Sequence, residues 1–144
     1  SDLRKAGYET GLKQANLPVD IDLMEYAGSF EIEDAYVAMR RLFNRRRDFT
    51  ALFAITDYFA IAAVRAATDL GIRVPERLSV MGMDGLPFTK YTLPELTTLE
   101  QPTDRLGNEG VQLLFSMLRS KHTKHIVLPS RLRRGETVKK IQTS

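Results

Sequence analysis

The residues of this sequence best suited to holding a small polar molecule are Arg4, Phe30, Thr56, Asp57 and Asp84. Phe30 follows the turn Gly28-Ser29. Thr56-Asp57 follows the apolar run Ala51 to Ile55, and Asp84 follows the run Leu78 to Met83. An aromatic plate stacks on one face of a polar ring while carboxylates and hydroxyls bond its edge. Asp accepts from adjacent hydroxyls or from a base N–H, and Arg supplies the complementary donors. Each residue also has a plainer role. Asp57 suits a helix N-cap. Asp84, between Gly82 and Gly85, suits a turn. Phe30 suits core filling, and Arg4 suits a solvated helix face.

Other chemistries find little here. The chain has no cysteine, so disulfides and thiolate metal sites are excluded, and a reducing cytoplasm suits it. His122 and His125 lie three apart without a carboxylate or thiolate to complete a metal site, and no metal or other cofactor is expected. No nucleophile elbow, phosphate loop or dinucleotide glycine fingerprint is present, so no enzyme activity is expected. The net charge of +3 and pI near 9.3 raise the question of nucleic acid. The basic residues Arg40, Arg41, Arg45, Arg46 and Arg47 lack interleaved aromatics and a helix-turn-helix pattern. They read as solvated cations at a helix C-terminus. No apolar run approaches the roughly 18 residues of a membrane helix, and no secretory signal opens the chain.

These side chains must be positioned by regular elements. Leu3 to Ala15 reads as an amphipathic helix stopped by Asn16 and Pro18. Ile21 to Tyr26 reads as a short strand. Glu31 to Asn44 repeats apolar residues at helical spacing: Ala35, Ala38, Met39, Leu42, Phe43. Ala51 to Ile55 reads as a strand buried on both faces, the mark of a parallel sheet. A helix from Asp57 ends at Gly71, and Leu78 to Met83 reads as another buried strand. Leu96 to Leu99 is extended, Asp104 to Leu118 is helical, and His125 to Leu128 and Leu132 to Arg134 read as closing strands. The alternation of helix and strand predicts a doubly wound α/β sandwich. Such sheets bind ligands at their carboxyl rim, where Thr56, Asp57 and Asp84 fall.

Several stretches together resemble one family. Gly71-Ile72-Arg73-Val74-Pro75-Glu76-Arg77-Leu78-Ser79-Val80-Met81-Gly82-Met83-Asp84 is similar to the signature of LacI/GalR transcription regulators. So are Leu96-Thr97-Thr98-Leu99-Glu100-Gln101-Pro102 with Leu106-Gly107, and Ala51-Leu52-Phe53-Ala54-Ile55-Thr56-Asp57 with Ala60. Arg4-Lys5-Ala6-Gly7-Tyr8 resembles another of its motifs, as do Leu128-Pro129 and Arg134-Gly135, with Glu136 where serine is usual. The set covers nearly the whole chain, in the family's order.

The resemblance implies a fold like periplasmic sugar-binding proteins, with paired α/β subdomains flanking a cleft. Residues 1–98 and 125–135 would form the C-terminal subdomain. Residues 99–120 would be a crossover and a helix of the N-terminal subdomain. The chain would be cut from a longer protein and lack its helix-turn-helix domain, so operator DNA would be bound only through that missing part. The effector, a sugar or related metabolite, would meet Arg4, Phe30, Thr56 and Asp84. Thr56 stands where sugar sensors often have Asn, and Gly85 where a second Asp or Asn is common. The Thr-Asp pair also resembles a branch that responds to a phosphocarrier protein. A homodimer is expected. The alternative is a periplasmic-type solute-binding protein of a sugar transporter.

Overall fold

The computed structural model describes residues 2–120 and 124–140. The elements are α1 (Asp2–Gln14), α2 (Ile32–Arg45), β1 (Ala51–Phe53), α3 (Asp57–Asp69), β2 (Ser79–Asp84), β3 (Thr97–Glu100), α4 (Thr103–Ser120) and β4 (Arg131–Arg133). Short 3-10 helices span Ile21–Leu23 and Pro87–Tyr91. The sheet order is β1-β2-β3-β4. The first three strands are parallel and β4 is antiparallel to β3. This is the mixed α/β, parallel-dominated fold that the alternation of elements predicts.

The core follows from two helix faces and one strand. On α2 the buried residues are Ala35, Ala38, Met39, Leu42 and Phe43, at helical spacing. On α3 they include Ala60, Ala63, Ala66 and Ala67, whose small side chains let the helix approach its neighbours closely. Val80 of β2, with Leu78 and Leu96, fills the space between. Gly71, at φ +70°, ends α3 as the sequence predicts, since glycine takes this conformation without a Cβ penalty. The segment after β4 seals the sheet. Thr137 is buried, donates to the Val80 carbonyl and accepts from the Thr97 N–H.

Some expectations are corrected. Ile21 to Tyr26 is not a strand. The Asp20 carboxylate accepts from the Asp22 N–H and closes a tight turn, and Arg45 takes the carbonyls of Asp22 and Met24. A side chain thus meets polar groups that a neighbouring strand would otherwise satisfy. The run Ala51 to Ile55 is not buried on both faces. β1 stands at the edge of the sheet, Ala51 is exposed, and Leu52 and Phe53 are only half-buried. A cavity of about 460 Å³ lies beside it. His125 to Leu128 forms no strand: Val127 is exposed, and only Arg131–Arg133 pairs with β3.

α4 is amphipathic yet unpacked. Val111, Leu114, Phe115 and Leu118 fall on one stripe, all more than half exposed. α1 likewise buries no residue, although Tyr8 stacks on Phe53 at 6.3 Å. Among the described residues, no helix is long and apolar enough to cross a membrane.

Candidate ligand site at the carboxyl rim of the sheet

Parallel strands deliver their carboxyl ends to one rim, and most of the candidate residues meet there. β1 ends before Ile55-Thr56, β2 ends at Asp84, and β3 ends at Glu100, which pairs with Asp84 across the sheet. Arg4 of α1 reaches over this rim. Its Nη2 lies 3.1 Å from Asp84 Oδ1, and its Nη1 donates to the Ile55 carbonyl. Both side chains of the pair remain about a quarter exposed, so the pair is part-buried yet reached by solvent.

Asp84 has a second donor. Gln101 Nε2 donates to the same Oδ1 at 2.6 Å, and the Gln101 N–H donates to the Asp84 carbonyl at 3.2 Å. The backbone of Asp84 lies at φ +123°, a conformation that non-glycine residues rarely adopt. Strained backbone of this kind persists where surrounding contacts over-determine it, commonly at ligand clamps. Gly85 follows at φ +76°, and a Cβ there would meet Glu100 Cα at 2.6 Å. An Asp or Asn at position 85 would therefore collide with β3. Glu100 itself is held below the ordinary carboxylate range, first by its hydrogen bond from Arg131 and against desolvation.

Phe30 stands exposed and, like Arg4, lines the cavity, whereas Asp84 is not among its lining residues. The Phe30 ring lies 6.2 Å from Phe59, tilted by 31°, on the first turn of α3. Arg4, Phe30, Ile55 and Phe59 all line the cavity. The apolar side chains of Met39, Leu42 and Leu52 line it as well.

Thr56 and Asp57 are placed differently from each other. Thr56 is the N-cap of α3, its Oγ1 accepting from the Phe59 N–H at 3.2 Å. The cap is thus Thr56 and not Asp57, because the helix starts one residue earlier than an Asp57 cap requires. Asp57 is fully buried. Its Oδ1 accepts from the Thr98 hydroxyl at 2.5 Å and its Oδ2 from the Leu86 N–H at 2.7 Å. Both oxygens are occupied inside the fold, away from the rim surface.

Sequence reasoning missed the parts played by Gln101 and Phe59. Gln101 was signalled by register, since the residue after Glu100 must reach the rim beside Asp84. Phe59, three after the Thr56 cap, had no signal apart from its helix phase. The basic run at the end of α2 is engaged locally. Arg41 and Arg45 pair with Glu25, Arg46 with Asp20 and Asp48, and Arg47 donates to the Phe43 carbonyl. His122 lies outside the described residues. Among those described, no group of three His, Cys, Asp or Glu side chains could hold a metal.

The comparisons with known proteins agree with this fold. Residues 1–138 match the family model described as a periplasmic binding protein-like domain, and the chain belongs to that family. Within it, the chain is a domain of the LacI/GalR effector-binding type. It is 35% identical over 130 residues to the HTH-type transcriptional regulator MalR of Clostridium butyricum, covering 90% of this chain and 38% of that protein. It is 41% identical over 115 residues to the HTH-type transcriptional repressor PurR of Photorhabdus laumondii, covering 80% of this chain and 32% of that one. Among solved structures it resembles the transcriptional regulator CelR in complex with cellobiose. There the TM-score is 0.85 and the identity 33%, over 93% of this chain and 41% of the other. A putative LacI-family regulator from Sanguibacter keddieii gives a TM-score of 0.87 at 28% identity, over 94% and 53%. The chain therefore spans about a third of the length of the curated relatives it matches.

Proposed function

We propose that this chain is the effector-sensing part of a LacI-type transcription regulator. The observation that carries it is the solvent-accessible Arg4–Asp84 pair at the sheet rim, with Arg4 and the exposed Phe30 plate lining one cavity beside it. A ring bearing hydroxyls or N–H groups stacks on Phe30, donates to Asp84 and accepts from Arg4. Gln101 contacts the same Asp84 oxygen, so a ligand that takes that oxygen acts directly on the segment leading into α4. The effector class is a sugar or a related metabolite. Thr56 shapes the rim mainly as a helix cap, since its side-chain oxygen already serves the Phe59 N–H.

Residues 99–120 act as the crossover and a helix of the N-terminal subdomain, the rest of which would cover the apolar stripe of α4. The regulator reads operator DNA through a helix-turn-helix domain outside this chain. Proteins of that kind dock as dimers on paired half-sites, which favours a homodimer. The Thr56-Asp57 pair keeps a phosphocarrier protein among the candidate partners. Names of the curated relatives favour a cytoplasmic regulator over a transport protein.

A thermal-shift series on the full-length protein tests the effector class. The probes are cellobiose, lactose, ribose and guanine. A ligand present at about 100 times its dissociation constant adds about 2.7 kcal/mol. The expected result is a rise of several degrees in Tm with at least one probe. No rise with any of them would count against a sugar-like or base-like effector.

A further inference from the structure

We infer that Asp57 is the positioning residue of the effector site, a buried strut that sets Asp84 without touching the ligand. The inference rests on the proposal that Asp84 meets the effector. Asp57 is fully buried at the first position of α3, where its charge is favoured by the helix N-terminus. Its two oxygens tie together separate parts of the rim. Oδ2 accepts from the Leu86 N–H, two residues beyond Asp84. Oδ1 accepts from the buried Thr98 hydroxyl on β3, three residues before Gln101.

The consequence falls on a strained turn. Asp84 at φ +123° and Gly85 at φ +76° turn the chain sharply off the end of β2. Such backbone needs fixed contacts on both sides. On one side the Asp84 carbonyl accepts from the Gln101 N–H. On the other, the Leu86 N–H is held by Asp57. The Leu86 carbonyl accepts from the Thr89 hydroxyl at 2.7 Å, and Arg133 donates to that hydroxyl in turn. Both backbone polar groups of Leu86 are thus fixed, and Asp57 supplies the charged, buried half of that grip.

Gly82 makes room for the strut. A Cβ at position 82 would lie 2.5 Å from Asp57 Oδ1, so the glycine two residues before Asp84 is the space the carboxylate occupies. Glycine, strut and strained Asp84 form one device, spread over β2, α3 and β3.

The test uses hydrogen exchange and probe binding on the full-length protein as wild type, Asp57→Ala, Asp57→Asn and Thr98→Val. Removing the carboxylate leaves the Leu86 N–H without its partner. In D57A, exchange of the segment 83–88 should quicken about tenfold or more, with the rest of the sheet unchanged. Affinity for whichever of cellobiose, lactose, ribose or guanine the wild type binds should fall by about tenfold. D57N should stay within about threefold of wild type, because its amide oxygen can still accept from Leu86 while the Thr98 hydroxyl turns to accept. If D57A does not fold, T98V removes one contact only, leaves the Leu86 N–H on Asp57, and should show a smaller quickening confined to the same segment with a smaller loss of affinity. Unchanged exchange at 83–88, or faster exchange spread evenly over the domain, would overturn the proposal. So would local exchange in D57A with affinity for the bound probe intact. Local exchange in a protein whose wild type binds none of the probes would leave the strut standing and remove the proposed effector class alone.

Discussion

At the scale of single residues, the outward-facing charges and the inward-facing one divide the work. Arg4 and Asp84 are partly solvated and free to exchange one partner for another. Asp57, with both oxygens satisfied inside, is a fixed point. A buried carboxylate is tolerable only with such partners. Gly82→Ala tests the space it occupies. The added methyl would press on Asp57 Oδ1, Leu96 Cδ2 at 3.1 Å and the Ala60 Cβ at 3.2 Å. Overpacking of this kind costs about 1–3 kcal/mol, which urea denaturation would register; a variant as stable as wild type would show that the rim yields easily. The sequence alone placed an acid after β1 and another after β2. It offered Asp57 a helix cap as well as a ligand, but it did not show which way either side chain turns, because the direction of a side chain at a strand end depends on the residue facing it. For Asp57 that residue is a glycine on another strand.

At the scale of elements, periodic patterns were readable and compensated backbone was not. The apolar spacing of α2, the capped start of α3 and the runs of β1 and β2 all appear close to where they are expected. Ile21 to Tyr26 reads as a short strand. Yet its carbonyls are taken by Arg45, a partner far along the chain that no local pattern reveals. The same segment presents Glu25 to Arg41 and Arg45, clasping it to α2. Burial tends to raise the Glu25 carboxyl. The Tyr26 N–H and the guanidinium groups of Arg45 and Arg41 together outweigh this and lower it from its ordinary 4.5. A carboxylate with a depressed folded value adds stability above its ordinary value and loses it as pH falls through the folded one. Stability should therefore decline as pH drops below about 4.5, and Glu25→Gln should flatten that part of the profile. Identical acid profiles for the two proteins in thermal melts would show that the clasp adds nothing.

At the scale of the whole molecule, the exposed stripe of α4 and the short match to its relatives belong together. An amphipathic helix with no buried side chain among those described is stable only if something covers it. In the proposed arrangement the cover is the rest of the N-terminal subdomain, and the crossover from β3 into α4 carries the signal. Gln101 stands at the start of that crossover and touches Asp84. Ligand binding at Asp84 can thus bias how the subdomains sit, provided the ligand favours one arrangement over the other. The family was readable in the sequence because its motifs fall on the strand ends. The effector was not, because Asp84, Arg4 and Phe30 suit any ring bearing hydroxyls or N–H groups alike.

The most direct test measures operator affinity by fluorescence anisotropy. It would use the full-length protein, DNA from its own promoter region, and the probe that stabilises the protein most. With wild type, saturating ligand should change the affinity by about fivefold or more. With Asp84→Asn, which keeps the shape and removes the charge facing Arg4, that response should be lost while unliganded DNA binding is retained. A ligand response in the variant equal to that of wild type would contradict the account, since the rim at Asp84 would then not be where the effector is sensed.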